Sequence, residues 1–95
     1  MTIIPIAHIH EQGQDMIIVP LNHSFGCKSQ KEQEQTISYI QQIAINAGLA
    51  GTVVPVWDTS SDRFAFLAPL PWHPFFKSLT SSDISCMLNR KLICS

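Results

Sequence analysis

His8 and His10 stand one residue apart in the β-branched stretch TIIPIAHI of the N-terminal region. In a strand this spacing sends both imidazoles out on one face, and imidazole suits zinc, copper and nickel. A metal site needs a third or fourth ligand, and His23, Cys27 and His73 are the obvious remaining donors. No recognised ligand spacing links them to the pair, so the two histidines read as solvent-facing groups beside a turn, and no cofactor is expected.

The second candidate is a thiol. Cys27 lies in NHSFGCKS, just before a helix whose positive N-terminal end, together with Lys28, would favour a thiolate. His23 is near enough in the chain to serve as a base, and Asp58 is the carboxylate that would complete a thiol-dependent arrangement. The Cys-to-His spacing fits no known signature, so an inert or merely accessible thiol is the simpler reading. Ser60, Ser61 and Asp62 offer hydroxyls beside a carboxylate, which is ordinary turn composition. The glycines at 13, 26, 48 and 51 are dispersed and form no phosphate-cradling loop.

The third candidate is the segment Leu70-Pro-Trp-His-Pro-Phe-Phe76. Trp72, His73, Phe75 and Phe76 sit among prolines, and aromatic side chains on a stiffened backbone dominate recognition hot spots. Exposed, they form a contact surface; buried, they cap a small core.

These residues must be placed by a few elements. The clearest begins with Ser29 and Glu32 at capping-box spacing. Ile37, Ile40, Ala44 and Ala47 recur at helical spacing, with Thr36 and Ile43 on the same arc, while Glu34, Gln35, Ser38, Gln42 and Asn46 lie opposite. Gly48 is a left-handed stop, and Leu49 is placed to fold back on the last turn. Ile45 alone points to the polar side. Before the helix, Thr2 to Ile9 and Met16 to Leu21 form a hairpin around EQGQD. After it, Thr52 to Trp57 and Arg63 to Ala68 form a second hairpin across the 58–62 turn. Pro74 opens a short helix through Leu79. Residues 84–94 share a strand parity broken near Asn89-Arg90, and a helix after Ser82 is the alternative; the strand is favoured.

The order predicts one α+β domain over residues 1–95, with a ferredoxin-like split β-α-β-type sheet, one long and one short helix, and an extra N-terminal strand. IIPI, IVPL and VVPV each carry a proline inside a strand. Because proline cannot donate to a ladder, each is expected at a bulge, an end or an edge, with protection against edge-to-edge pairing preferred.

Composition narrows the function classes. Charged residues are 14% and apolar residues 45% of the chain, with a net charge of −1 scattered without runs. That balance argues against a nucleic-acid binder, and the apolar runs are too short to span a bilayer as a helix. The N-terminal stretch lacks a basic region and a small-residue cleavage site, so no signal peptide is expected and the cytoplasm is the expected compartment. Three cysteines leave an odd one out and are expected reduced; in an exported protein Cys86 and Cys94 would be the pair.

The low charge also bears on assembly. Val54 and Val56 oppose Val53 and Trp57; Phe64 and Phe66 oppose Ala65 and Leu67; Ile17, Val19 and Leu21 oppose Met16 and Ile18. Both faces of these strands are therefore apolar, and one long helix covers one face. A homo-oligomer, most simply a dimer through the open face or an edge strand, is expected. The alternative is that the N-terminal hairpin and the C-terminus close the face from within. The resulting expectation is a non-enzymatic binding or assembly module acting through self-association and a possible protein partner. The alternative is a small thiol- or metal-dependent enzyme using Cys27 with nearby histidines.

Overall fold

The computed structural model describes residues 2–11, 13–60 and 63–94. Five strands form one mixed sheet: β1 (Thr2–Glu11), β2 (Gln14–Leu21), β3 (Thr52–Ser60), β4 (Arg63–Phe66) and β5 (Arg90–Cys94). Their spatial order is β4-β3-β2-β1-β5. The helices are α1 (Gln30–Asn46), α2 (His73–Lys77) and α3 (Ser81–Met87), with 3₁₀ turns at His23–Cys27 and Leu70–Trp72. The chain is α+β.

The expected cap of α1 is present: the Glu32 N–H donates to Ser29 Oγ at 3.2 Å, and the Ser29 N–H donates to Glu32 Oε1 at 3.4 Å. At the other end Gly48 adopts φ 80°, the Gly48 N–H donates to Ile45 O, and the Leu49 N–H donates to Ala44 O. These two bonds are a Schellman closure, which satisfies the last carbonyls and turns the chain directly into β3. Gln41 ties the helix to that strand, donating to Gly51 O at 3.0 Å and accepting from the Val53 N–H at 2.9 Å. β2 and β3 are thus nearest neighbours and parallel, joined by a direct crossover through α1. The extra N-terminal strand, β1, lies inside the sheet between β2 and β5.

The prolines end ladders inside the sheet and do not guard its outer edges. β1 pairs with β2 only as far as Ala7 opposite Ile18; two residues further the same register brings Pro5 opposite Pro20. Neither has an N–H, so the pairing stops there. Likewise Val56 opposite Phe66 is the last pair of β3 with β4 in that direction. Beyond it the Leu67 N–H still donates to Pro55 O at 3.2 Å, but Pro55 has nothing to donate in return. The strands at the sheet ends, β4 and β5, contain no proline.

Both sheet faces carry a buried cluster. On one, α1 places Ile40 and Ala44 against Ile6, Ile17, Val19, Val53 and Leu92. On the other, Trp72, Phe76 and Ile84 pack on Ala7, Met16, Ile18, Val54 and Val56. The alternating parities of β2 and β3 therefore read correctly, but the second face is not open. The C-terminal segment closes it, while the N-terminal hairpin lies in the sheet.

That closure depends on α3, where the sequence favoured a strand over 84–94 broken near Asn89-Arg90, with a helix as the alternative. Strand structure starts only at Arg90. Thr80 and Asp83 form a second capping box, with the Asp83 N–H donating to Thr80 Oγ1 and the Thr80 N–H to Asp83 Oδ2. The cap satisfies two backbone N–H groups of a seven-residue helix that tertiary packing must otherwise hold. The helix turns Ile84 into the core, and Leu92 continues in β5 against the opposite cluster.

Candidate functional site

The two N-terminal histidines do emerge on one face, the α1 side of the sheet, since they share parity with Ile6. Each is engaged separately. His8 donates its Nε2–H to Ala50 O at 2.8 Å, because a carbonyl can only accept. His10 Nδ1 lies 2.7 Å from Asp15 Oδ1 across the hairpin. Neither bond draws the rings toward a common point. Among the described residues, no group of three His, Cys, Asp or Glu side chains is placed to hold a metal ion.

The His8 backbone is bonded through both its N–H and its C=O to one side chain. Asn89 accepts from the His8 N–H through Oδ1 and donates from Nδ2 to His8 O, both at 2.9 Å, while its own N–H reaches Ile6 O. The amide side chain stands in for a strand residue just before β5 begins. In sequence this asparagine marked only a break.

His23 and Cys27 open and close the first 3₁₀ turn, and both are exposed. Between them Phe25 is buried, its ring 5.1 Å from that of Trp57, and Gly26 lies so close that a Cβ there would meet the Trp57 indole at 2.4 Å. This contact brings the loop to the far end of β3, the strand that carries Asp58. Neither His23 nor Cys27 makes a side-chain hydrogen bond among the described residues, so no base is set against the thiol. The α1 N-terminus behind Cys27 is occupied by its Ser29–Glu32 cap. Cys86 is likewise a free, exposed thiol. The Ser61-Asp62 part of the hydroxyl–carboxylate turn lies outside the described residues, as do the Ser60 and Cys94 side chains.

The proline-rich segment divides in two. Trp72 and Phe76 are buried and act as anchors: Phe76 stacks on Phe66 at 5.2 Å, and Phe75 meets Phe76 edge-on at 5.2 Å. His73 is half-buried, its Nε2–H donating to Ala68 O at 2.9 Å and its ring edge-on to Phe66. Phe75 is half-buried. What the segment displays is Leu70, 76% exposed between exposed Pro69 and Pro71, next to the exposed Leu67. Leucine lacks the signature of an aromatic hot spot, and only the burial of its neighbours singles it out.

At the other end of the sheet a groove of about 550 Å³ runs between α1 and β5, lined by Tyr39, Gln42, Ile43, Asn46, Ala47, Lys91 and Ile93. Lys91 and Ile93 have the opposite parity to Leu92, whose side chain is buried under α1. The groove therefore lies beside the strand and below the helix flank. Ile93 is 59% exposed and pairs in register with Ile3, which is 55% exposed. The helix stripe could not reveal this groove, because Tyr39, Gln42 and Asn46 look like an ordinary solvent face.

No helix in the described residues is long and apolar enough to cross a membrane. The chain matches no protein-family model, no curated protein and no solved structure.

Proposed function

We propose that this chain is a small non-enzymatic binding and assembly module that acts through self-association and protein–protein contacts, in the cytoplasm. One observation carries the reading. With both sheet faces filled, most of the exposed large apolar side chains among the described residues lie toward the two ends of the sheet, Leu67 and Leu70 beside β4, and Ile3, Ile93 and Tyr39 beside β5, while Ile45 stands apart on α1. Apolar side chains grouped at sheet ends favour association edge to edge rather than face to face. In this reading the PLPWHPFF segment is a contact element whose Trp72 and Phe76 hold it in place, with Leu70 and the outer side of His73 and Phe75 available to a partner. Prolines on either side of Leu70 reduce the entropy lost when it docks. The element order from β2 onward is β-α-β-β-α-β apart from the division of the second helix, and the ferredoxin-like comparison extends to this order alone, because β2 and β3 adjoin where a split β-α-β unit holds another strand between them.

Light scattering across a micromolar dilution series tests the reading. A mass of twice the chain that falls on dilution is expected, and a clean monomer throughout would refute self-association.

A further inference from the structure

We infer that β5 is the self-association edge, pairing antiparallel with β5 of a second copy across a two-fold axis so that two five-stranded sheets become one. The inference rests on the self-association reading and specifies its surface.

β5 ends the sheet, and among the described residues no strand lies on its outer side. It lacks the proline that halts pairing inside this same sheet, and its protection is limited to its length and to Arg90 and Lys91. The groove under the α1 flank lies where a sixth strand would run.

The occupant is argued to be a second copy because the edge is self-complementary. An axis normal to the sheet keeps faces together, so residues of one parity must meet residues of the same parity. Centring the pairing on Lys91 would set two ammonium groups directly opposite and is disfavoured. Centring it on Leu92 uses the whole strand, sets Ile93 opposite the alkyl stem of Lys91 from the second copy, and leaves the two Ile93 side chains as diagonal neighbours. Ile3 extends that apolar row on each side. On the other face, the flanks of the two α1 helices run antiparallel, which brings Tyr39 of one toward Asn46 of the other.

The edge carries apolar surface to bury: Ile93 is 59% and Ile3 55% exposed, and the two pair in register. A net charge of −1 per chain adds little repulsion between copies.

Sedimentation velocity of the full chain, wild type beside Ile93→Lys and Leu70→Asp, decides the matter. Ile93 is exposed, so circular dichroism should show both variants folded. The expected result is a wild-type dimer, a dissociation constant raised about thirtyfold or more by Ile93→Lys, and none of that loss with Leu70→Asp. If Ile93→Lys dimerises like wild type while Leu70→Asp dissociates, the β5 edge is refuted and self-association stands through the Leu70 ridge. If wild type is a monomer at every concentration, both readings fall.

Discussion

Phe76→Ala distinguishes an anchor from a contact residue. Phe76 is 1% exposed and packs among Trp72, Ile18 and Val54 in the cluster that closes the second sheet face. Truncating a buried phenylalanine removes its transfer free energy and leaves a cavity, at about 3–5 kcal/mol. The rings of Phe66 and Phe75, each 5.2 Å away, would lose their aromatic partner as well, which sets the expected loss near the middle or top of that range. A chain of this length has about 5–14 kcal/mol of total stability, so the loss is a large share of the whole. Urea titration followed by circular dichroism reads it directly. An unchanged slope with the midpoint lowered by about 2–3 M is expected, together with a melting temperature roughly 15–25 °C lower. Where the alanine variant does not fold, Phe76→Leu is the milder probe, expected to cost about 1–1.5 kcal/mol. A cost below about 1 kcal/mol for Phe76→Ala would refute the argument, because the proline-rich segment could not then be the cover of that face.

Thr80→Ala removes the capping box of α3 and should cost about 1 kcal/mol by the same titration. Thr80→Ser, which keeps the acceptor, should restore most of it. Gly51 has φ 127°, and a Cβ there would sit 2.7 Å from Asp15 O, a backbone atom that cannot swing aside. Gly51→Ala should therefore cost more than Gly48→Ala, which meets open space and pays only the left-handed backbone penalty of about 1 kcal/mol. Equal melting temperatures for the two glycine variants would contradict that placement.

How much of this was legible follows from the range of the forces involved. The α1 helix could be read in full because its determinants are local: Ser29 and Glu32 are three residues apart, and Gly48 and Leu49 answer carbonyls within the preceding turn. The two-residue parity of β2 and β3 was equally plain, since a strand assigns faces without help from distant residues. The α3 helix stood only as the alternative to a strand, although Thr80 and Asp83 held the same local signal as Ser29 and Glu32. The strand parity of Ile84, Cys86, Leu88 and Leu92 competed with it, and burial of Ile84 against Val54 and Val56 tips the balance.

The candidate sites divide in the same way. Residue type alone marked His8, His10, Cys27, His23, Trp72, His73, Phe75 and Phe76, and it set the pair of histidines on one face. Whether such groups converge is decided by the partner that folding brings to each. Ala50 takes His8, Asp15 takes His10, and the sheet takes Trp72 and Phe76. The groove beside β5 illustrates the limit: Tyr39 and Asn46 are half a chain from Lys91 and Ile93, and no local pattern relates them. The sequence by itself determined the α1 helix, the two hairpins and the apolar faces of their strands. The tertiary structure alone decided which face each element covers and which edge stays open, because the register of β1 with β5 and the docking of residues 70–87 are long-range packing events.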